Sequence, residues 1–250
     1  FTHTHPAAQW SLFTYVVSDG TSTSEAGIVW LVPDHTNIVA SDFATTLDDW
    51  SIEANGARAQ ALVAGGLAYE PFSRGVLNHY ILGTDAEIHT NRQTGEDNTL
   101  WYFVAPSQFL GNHIVAYGGA LKFAMASAAG DFSSENQNSA DTPFVVLECD
   151  SCDRGNGIRL AKRADANLRL DGTSQEVSIP LVESSWLKDP KNTLFTWQQP
   201  TQCEMVEVLA GLTSVRILGD HTKWYESVAL DRISYTHGNE VPVACASIYY

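Results

Sequence analysis

The sequence predicts an all-β fold: an antiparallel β-sandwich of jelly-roll type, with one short helix near 204–211. Three observations predict it. Short apolar or alternating runs recur along the chain, divided by turn-forming Gly, Pro, Asn and Asp. Helical spacing of apolar residues is clear in one segment alone. A chain of 250 residues, 44% hydrophobic and 10% aromatic, is also large and apolar enough to bury the core that such a sandwich needs.

Taken in order, residues 10–17 and 27–32 read as strands around a polar, Gly- and Ser-rich stretch at 18–26, a hairpin or a pair of sheet-edge strands. Pro33 ends the second because it has no amide hydrogen to give a ladder. Further strand signals fall at 48–53, 75–82, 100–104, 113–126, 144–147, 158–161, 177–182, 214–218 and 227–235, with Asn55-Gly56 and Gly83 as turn chemistry. Residues 57–64 suit helix or strand equally. The stretch 130–142 is polar enough to be a solvated loop. In 204–210, Val206, Leu209 and Ala210 share a helical face, and Gly211 follows as a C-cap.

Fourteen Lys and Arg against 29 Asp and Glu leave a net charge of −15, which repels phosphate backbones and anionic bilayers. Nucleic acid is therefore not an expected partner. No apolar run is long enough to cross a bilayer, so membrane insertion is not expected either. The opening Phe1-Thr-His-Thr-His lacks signal-peptide character, which suits a processed secreted form or a cytosolic protein.

Cys149, Cys152, Cys203 and Cys245 are an even set, read as two disulfides joining Cys149 to Cys152 and Cys203 to Cys245. Four cysteines allow three connectivities, and a four-thiolate zinc site or reduced thiols are the rivals. The chain has no N-x-S/T sequon, which weighs against secretion.

Catalytic signatures are missing: no Gly-x-Ser-x-Gly, no His-Glu-x-x-His and no phosphate-cradling loop occurs. Glu70 with Asp85, and Glu183 with Asp231, are available as carboxylate pairs, but no spacing selects them. His3 and His5 would share a strand face as a weak metal site or belong to a mobile terminus. His79, His89, His113, His221 and His237 are scattered and read as surface or satisfied side chains.

One region carries a family pattern. Leu100-Trp-Tyr-Phe-Val-Ala-Pro106, Phe109-Leu-Gly-Asn112 and Ala116-Tyr-Gly-Gly-Ala-Leu-Lys-Phe123 together resemble the laminin type IV (laminin B) domain. Ile179-Pro-Leu-Val-Glu-Ser-Ser-Trp186, Met205 to Ile217 and Val228 to Ile233 resemble later parts of the same pattern. The resemblance implies a carbohydrate-binding-module-like jelly roll over 41–238, with 1–40 as a strand-forming extension and 239–250 as a tail. It singles out Tyr102, Pro106, Gly111, Tyr117, Gly118, Gly119, Glu183, Trp186 and Arg216 as structural positions. Among these the three rings read as core or rim aromatics. The glycines read as turns or close approaches, and Glu183 with Arg216 as a semi-buried ion pair.

The resemblance further implies calcium, held by Asp42, Asp48 and Asp49 near the opening with Asp231 near the close, and no other cofactor. The function implied is that of a non-catalytic, extracellular structural or adhesive module, secreted or at the cell surface, in a matrix or an extracellular fibre. Its expected partners are proteins or copies of itself engaged through sheet edges. A carbohydrate-binding module is the alternative, with glycans as partners.

Overall fold

The structure is a computed structural model that describes residues 11–24, 27–31, 37–54, 67–70, 79–85, 100–132, 142–164, 170, 173–191, 194–222, 225–238 and 245. Residues 57–64 and most of the 130–142 loop lie outside the described residues.

Among the described residues all strand pairings are antiparallel, and two sheets stack as a sandwich. One sheet runs in the order β12 (Leu187–Lys188), β10 (Ile158–Arg163), β9 (Pro143–Cys149), β13 (Ser214–Leu218), β7 (Trp101–Val104) and β4 (Ser51–Ala54). The other runs β11 (Gln175–Pro180), β8 (Ala120–Gly130), β14 (Glu226–Thr236), β6 (Tyr80–Asp85) and β5 (Leu67–Glu70). Strand β3 (Asn37–Ser41) also pairs with β14, so the sandwich begins inside the segment read from the sequence as an extension. Ahead of it, β1 (Ser11–Tyr15) and β2 (Gly27–Leu31) form a two-stranded sheet of their own.

β14 organises the second sheet. One edge pairs with β8, while the other pairs first with β6 through Leu230 and then with β3 from Ile233. The handover coincides with a β-bulge: the β14–β8 register shifts between Asp231 and Ser234, and Arg232 adopts φ 52°.

Aromatic rings fill the space between the sheets. Trp50 stands edge-on to Phe43 and Phe109, and Phe109 in turn to Tyr235, at centroid separations of 6.3, 5.4 and 5.5 Å. Phe123 of β8 meets Phe144 of β9 across the interface. Trp101, also buried, reaches from β7 to donate Nε1–H to Glu226 of β14 at 3.3 Å.

The predicted helix is present as α1 (Gln202–Ala210), burying Met205, Val206, Val208 and Leu209. It starts two residues earlier than its apolar spacing suggests because Thr201 and Glu204 form a capping box. Gly211 stands at the C-cap but with φ −144°, so it is not a left-handed cap. A Cβ there would lie 3.1 Å from Cys149 Sγ, which makes space the reason for glycine. The run 113–126 is also corrected: Ile114–Ala116 is a 3-10 turn, and β8 begins at Ala120. Gly118, with φ 78°, turns the chain between them.

Candidate functional site

The motif positions form a structural frame. Pro106, two residues past the end of β7, caps the 3-10 turn Ser107–Phe109. Gly111 has φ 84°, and Gly119 runs so close to β14 that a Cβ would sit 2.2 Å from the Thr236 carbonyl oxygen. Tyr102, Tyr117 and Trp186 are buried. Trp186 donates Nε1–H to the Pro180 carbonyl at 2.9 Å. The Tyr117 hydroxyl donates to Glu183 at 2.8 Å and accepts from the Gln202 amide at 2.7 Å, joining the end of the 3-10 turn Ile114–Ala116 to the turn at Glu183 and to α1.

The expected Glu183–Arg216 pair is not formed. Arg216 instead donates to Glu148 at 2.5 Å and lies 3.6 Å from Glu53, with its guanidinium 5.8 Å from the Tyr102 ring centroid. Glu148 also meets Arg159 at 3.3 Å, and Arg159 meets Asp189 at 3.5 Å. The result is a row of alternating charges across β4, β13, β9 and β10. Glu183 takes another partner because it lies in the 3-10 turn Glu183–Ser185, outside the strands. Sequence reading missed Glu53, Glu148 and Arg159; their single charges in short apolar strands were the available signal.

The cysteines pair as Cys149–Cys152 and Cys203–Cys245, with no free thiol. A zinc site on four thiolates is thereby ruled out.

The four carboxylates expected to hold calcium do not come together. Among the described residues, no three His, Cys, Asp or Glu side chains are grouped to hold a metal ion. Asp48 turns both oxygens into its own loop, accepting from the Phe43 amide and the Thr46 hydroxyl. Asp42 accepts from the Ala44 amide, and Asp49 is an exposed turn residue with φ 61°. Asp42 and Asp231 do feel each other at the β3–β14 junction. Burial pushes the Asp231 carboxyl up to about 6, against the neighbouring Arg232 contacts and with added repulsion from Asp42.

The backbone positions of Glu70 and Asp85 are far apart along the sheet. Glu70 is opposite Tyr80, and Asp85 lies five residues further along β6, about 16 Å at 3.3 Å per residue. A glycosidase pair needs roughly 5–9.5 Å. Asp85 is buried opposite Glu226, whose carboxyl is raised by burial and by nearby Asp220. Glu226 accepts from the His221 and Thr222 amides, capping their loop.

Of the histidines, His79 is exposed, whereas His113 is buried, with Nε2 3.1 Å from the Leu110 carbonyl oxygen. His221 is half-buried against Phe144, and desolvation lowers its imidazole to about 4. His237 is half-buried. His3, His5 and His89 lie outside the described residues.

Among the described residues, two surfaces stand out as open to a partner. One is the β1–β2 hairpin, whose Tyr15, Val16 and Val17 are 50%, 58% and 61% exposed. The other is a groove beside α1, between the β9–β10 turn and the segment leading to Thr201, with Phe195 at its rim. Sequence reading passed over its aromatic and amide run, Phe195-Thr-Trp-Gln-Gln199.

A family model described as Laminin B (Domain IV) matches residues 102–244. No curated protein matches the chain by sequence. Among solved structures, the L4b domain of human laminin alpha-2 is similar at 18% identity and TM-score 0.49, covering 68% of this chain and 89% of its own. The family 11 carbohydrate-binding module of a Clostridium thermocellum cellulosomal cellulase is similar at 11% identity and TM-score 0.46, over 80% of this chain and 94% of its own. A family 30 carbohydrate-binding module gives 11%, 0.46, 84% and 94%.

Proposed function

Because the chain belongs to the laminin B (domain IV) family, we propose that it is a non-catalytic extracellular structural module that joins copies of itself by strand addition. The observation that carries this reading is the β1–β2 hairpin. A two-stranded sheet is marginal in water by itself. This one ends in three consecutive exposed apolar side chains, Tyr15, Val16 and Val17. The sandwich offers matching acceptors: β4 and β11 stand at sheet edges, each paired on one side within the described residues. Adding a hairpin strand to such an edge satisfies backbone donors and acceptors on both partners. The two disulfides suit an oxidising, extracellular setting.

Sedimentation velocity on the full chain tests the reading against a form lacking residues 1–31, which keeps β3 in the sandwich. Concentration-dependent association is expected of the full chain, strengthening with salt because the net charge of −15 opposes it. Association that survives the deletion unchanged would contradict strand addition by the hairpin.

A further inference from the structure

The groove beside α1 is lined by no residue of the β1–β2 hairpin on which the proposed self-association rests. Its volume is about 840 Å³, within the range of small-ligand clefts. Its walls are braced to each other. Cys149–Cys152 closes the β9–β10 turn, the Lys191 ammonium donates to the Asn156 and Gly157 carbonyls, and Lys188 pairs with Glu204 at the start of α1. Such bracing lowers the ordering cost of binding.

What is left free in the groove defines its chemistry. Phe195 is 65% exposed. Thr196, Gln198 and Gln199 are also exposed, and their side chains make no hydrogen bond among the described residues. Both lining lysines are spent on the protein itself, while Asp153, Asp189 and Glu204 add negative charge, so an anionic ligand finds no counter-ion. An extended peptide finds no ladder here either. The Lys188 and Gln198 backbones already bond each other, at 2.7 and 3.4 Å. An open ring face with planar amides and a hydroxyl, and no net positive charge, is instead complementary to the C–H faces and vicinal hydroxyls of a sugar.

We infer that this groove binds a segment of neutral polysaccharide, with Phe195 as the stacking platform and Gln198 and Gln199 reading hydroxyl groups. The site is separate from the hairpin, so the two readings fail independently. Removing residues 1–31 leaves saccharide binding unchanged, and disabling the groove leaves association unchanged.

Native affinity electrophoresis of the full chain, in gels containing galactomannan, xyloglucan, β-1,3-glucan or xylan, tests it, with alginate and carboxymethylcellulose as anionic controls. Retardation by at least one neutral polymer and by neither anionic one is expected. Phe195→Ala weakens it about tenfold, and Gln198→Ala with Gln199→Ala weakens it at least as much. The residues are exposed, so thermal melts of both variants are expected to overlay the parent. If either melt shifts, the other variant decides. The inference is overturned if no neutral polymer retards the chain, or if the variants are retarded like the parent. It is equally overturned by gelatin binding, lost in the same variants, without polysaccharide retardation, which would mean a peptide ligand.

Discussion

Replacing Gly219 with alanine should damage the core severely, and once Trp101 is shortened to leucine the same replacement should add little further damage. An added Cβ would lie 1.9 Å from Trp101 Cζ3, 2.2 Å from Cη2 and 2.3 Å from Cε3. Carbon atoms need about 3.5–4.0 Å, so the ring must retreat by roughly 1.5 Å or more. It has little room. Trp101 is 1% exposed, Phe103 stands 5.1 Å away between centroids, and Gly83 on the opposing strand is close enough that its own Cβ would be 2.5 Å from the ring. Overpacking of this kind costs about 1–3 kcal/mol. Loss of the Nε1–Glu226 hydrogen bond adds about 1.5 kcal/mol, so Gly219→Ala should cost about 3–4 kcal/mol. Trp101→Leu alone should cost about 3–4 kcal/mol through the void it leaves. In the double variant the new methyl enters that void, and the total should stay near the cost of Trp101→Leu. The coupling is then about 3 kcal/mol in favour of the double variant. Urea unfolding followed by far-UV circular dichroism measures it. Additivity within about 0.5 kcal/mol would show that Gly219 is not glycine for the sake of Trp101.

Four further outcomes are expected. The Tyr235 hydroxyl is buried with no hydrogen-bond partner among the described residues, so Tyr235→Phe should stabilise by about 1 kcal/mol in urea titrations; a loss of that size would reveal a partner for the hydroxyl. Breaking Cys203–Cys245, which spans a separation of 42 residues, should cost about 4 kcal/mol, against about 2 kcal/mol for Cys149–Cys152 with its separation of 3. Equal costs in paired Cys→Ala variants would defeat the loop-entropy argument. Native His221 stays neutral down to about pH 4, while the unfolded chain protonates near 6.5, so its contribution is complete above 6.5 and is lost as pH falls towards 4. That loss is at most about 3 kcal/mol, and Glu226, with its raised carboxyl, works in the opposite direction. The readout is therefore the difference between parent and His221→Gln, which should narrow on acidification; a difference that does not change with pH refutes it. EDTA should lower Tm if a calcium ion relieves the repulsion between Asp42 and Asp231, and Asp231→Asn should abolish that response; superimposable melts of the parent with and without chelator remove the ion from this junction.

Much of the sandwich was legible because burial on one face imposes alternation locally. The runs at 100–104, 144–147, 158–161, 177–182, 214–218 and 227–235 all overlap strands. The misses share a cause. Gly83 reads as a turn because glycine is the commonest punctuator, yet it lies inside β6 without left-handed backbone, under the Trp101 ring. β3 went unread because Asn37–Ser41 follows Pro33 closely and is short; pairing with β14, 190 or more residues later, makes it a strand. Arg216 had several acids within plausible reach, and only the register of β13 beside β9 selects Glu148 over Glu183.

By itself the sequence determined the local terms: alternation, the turns, the helical face of Val206, Leu209 and Ala210, an acidic charge that repels polyanions, and a motif specific enough to name its family. Tertiary structure decided whatever depends on residues distant in the chain: which cysteines meet, which acid holds Arg216, why two glycines face one tryptophan, and that Phe195 and the glutamines beside it line a braced groove. Periodicity is written into neighbouring residues, whereas contact depends on register between strands and the packing of two sheets, which no single segment encodes.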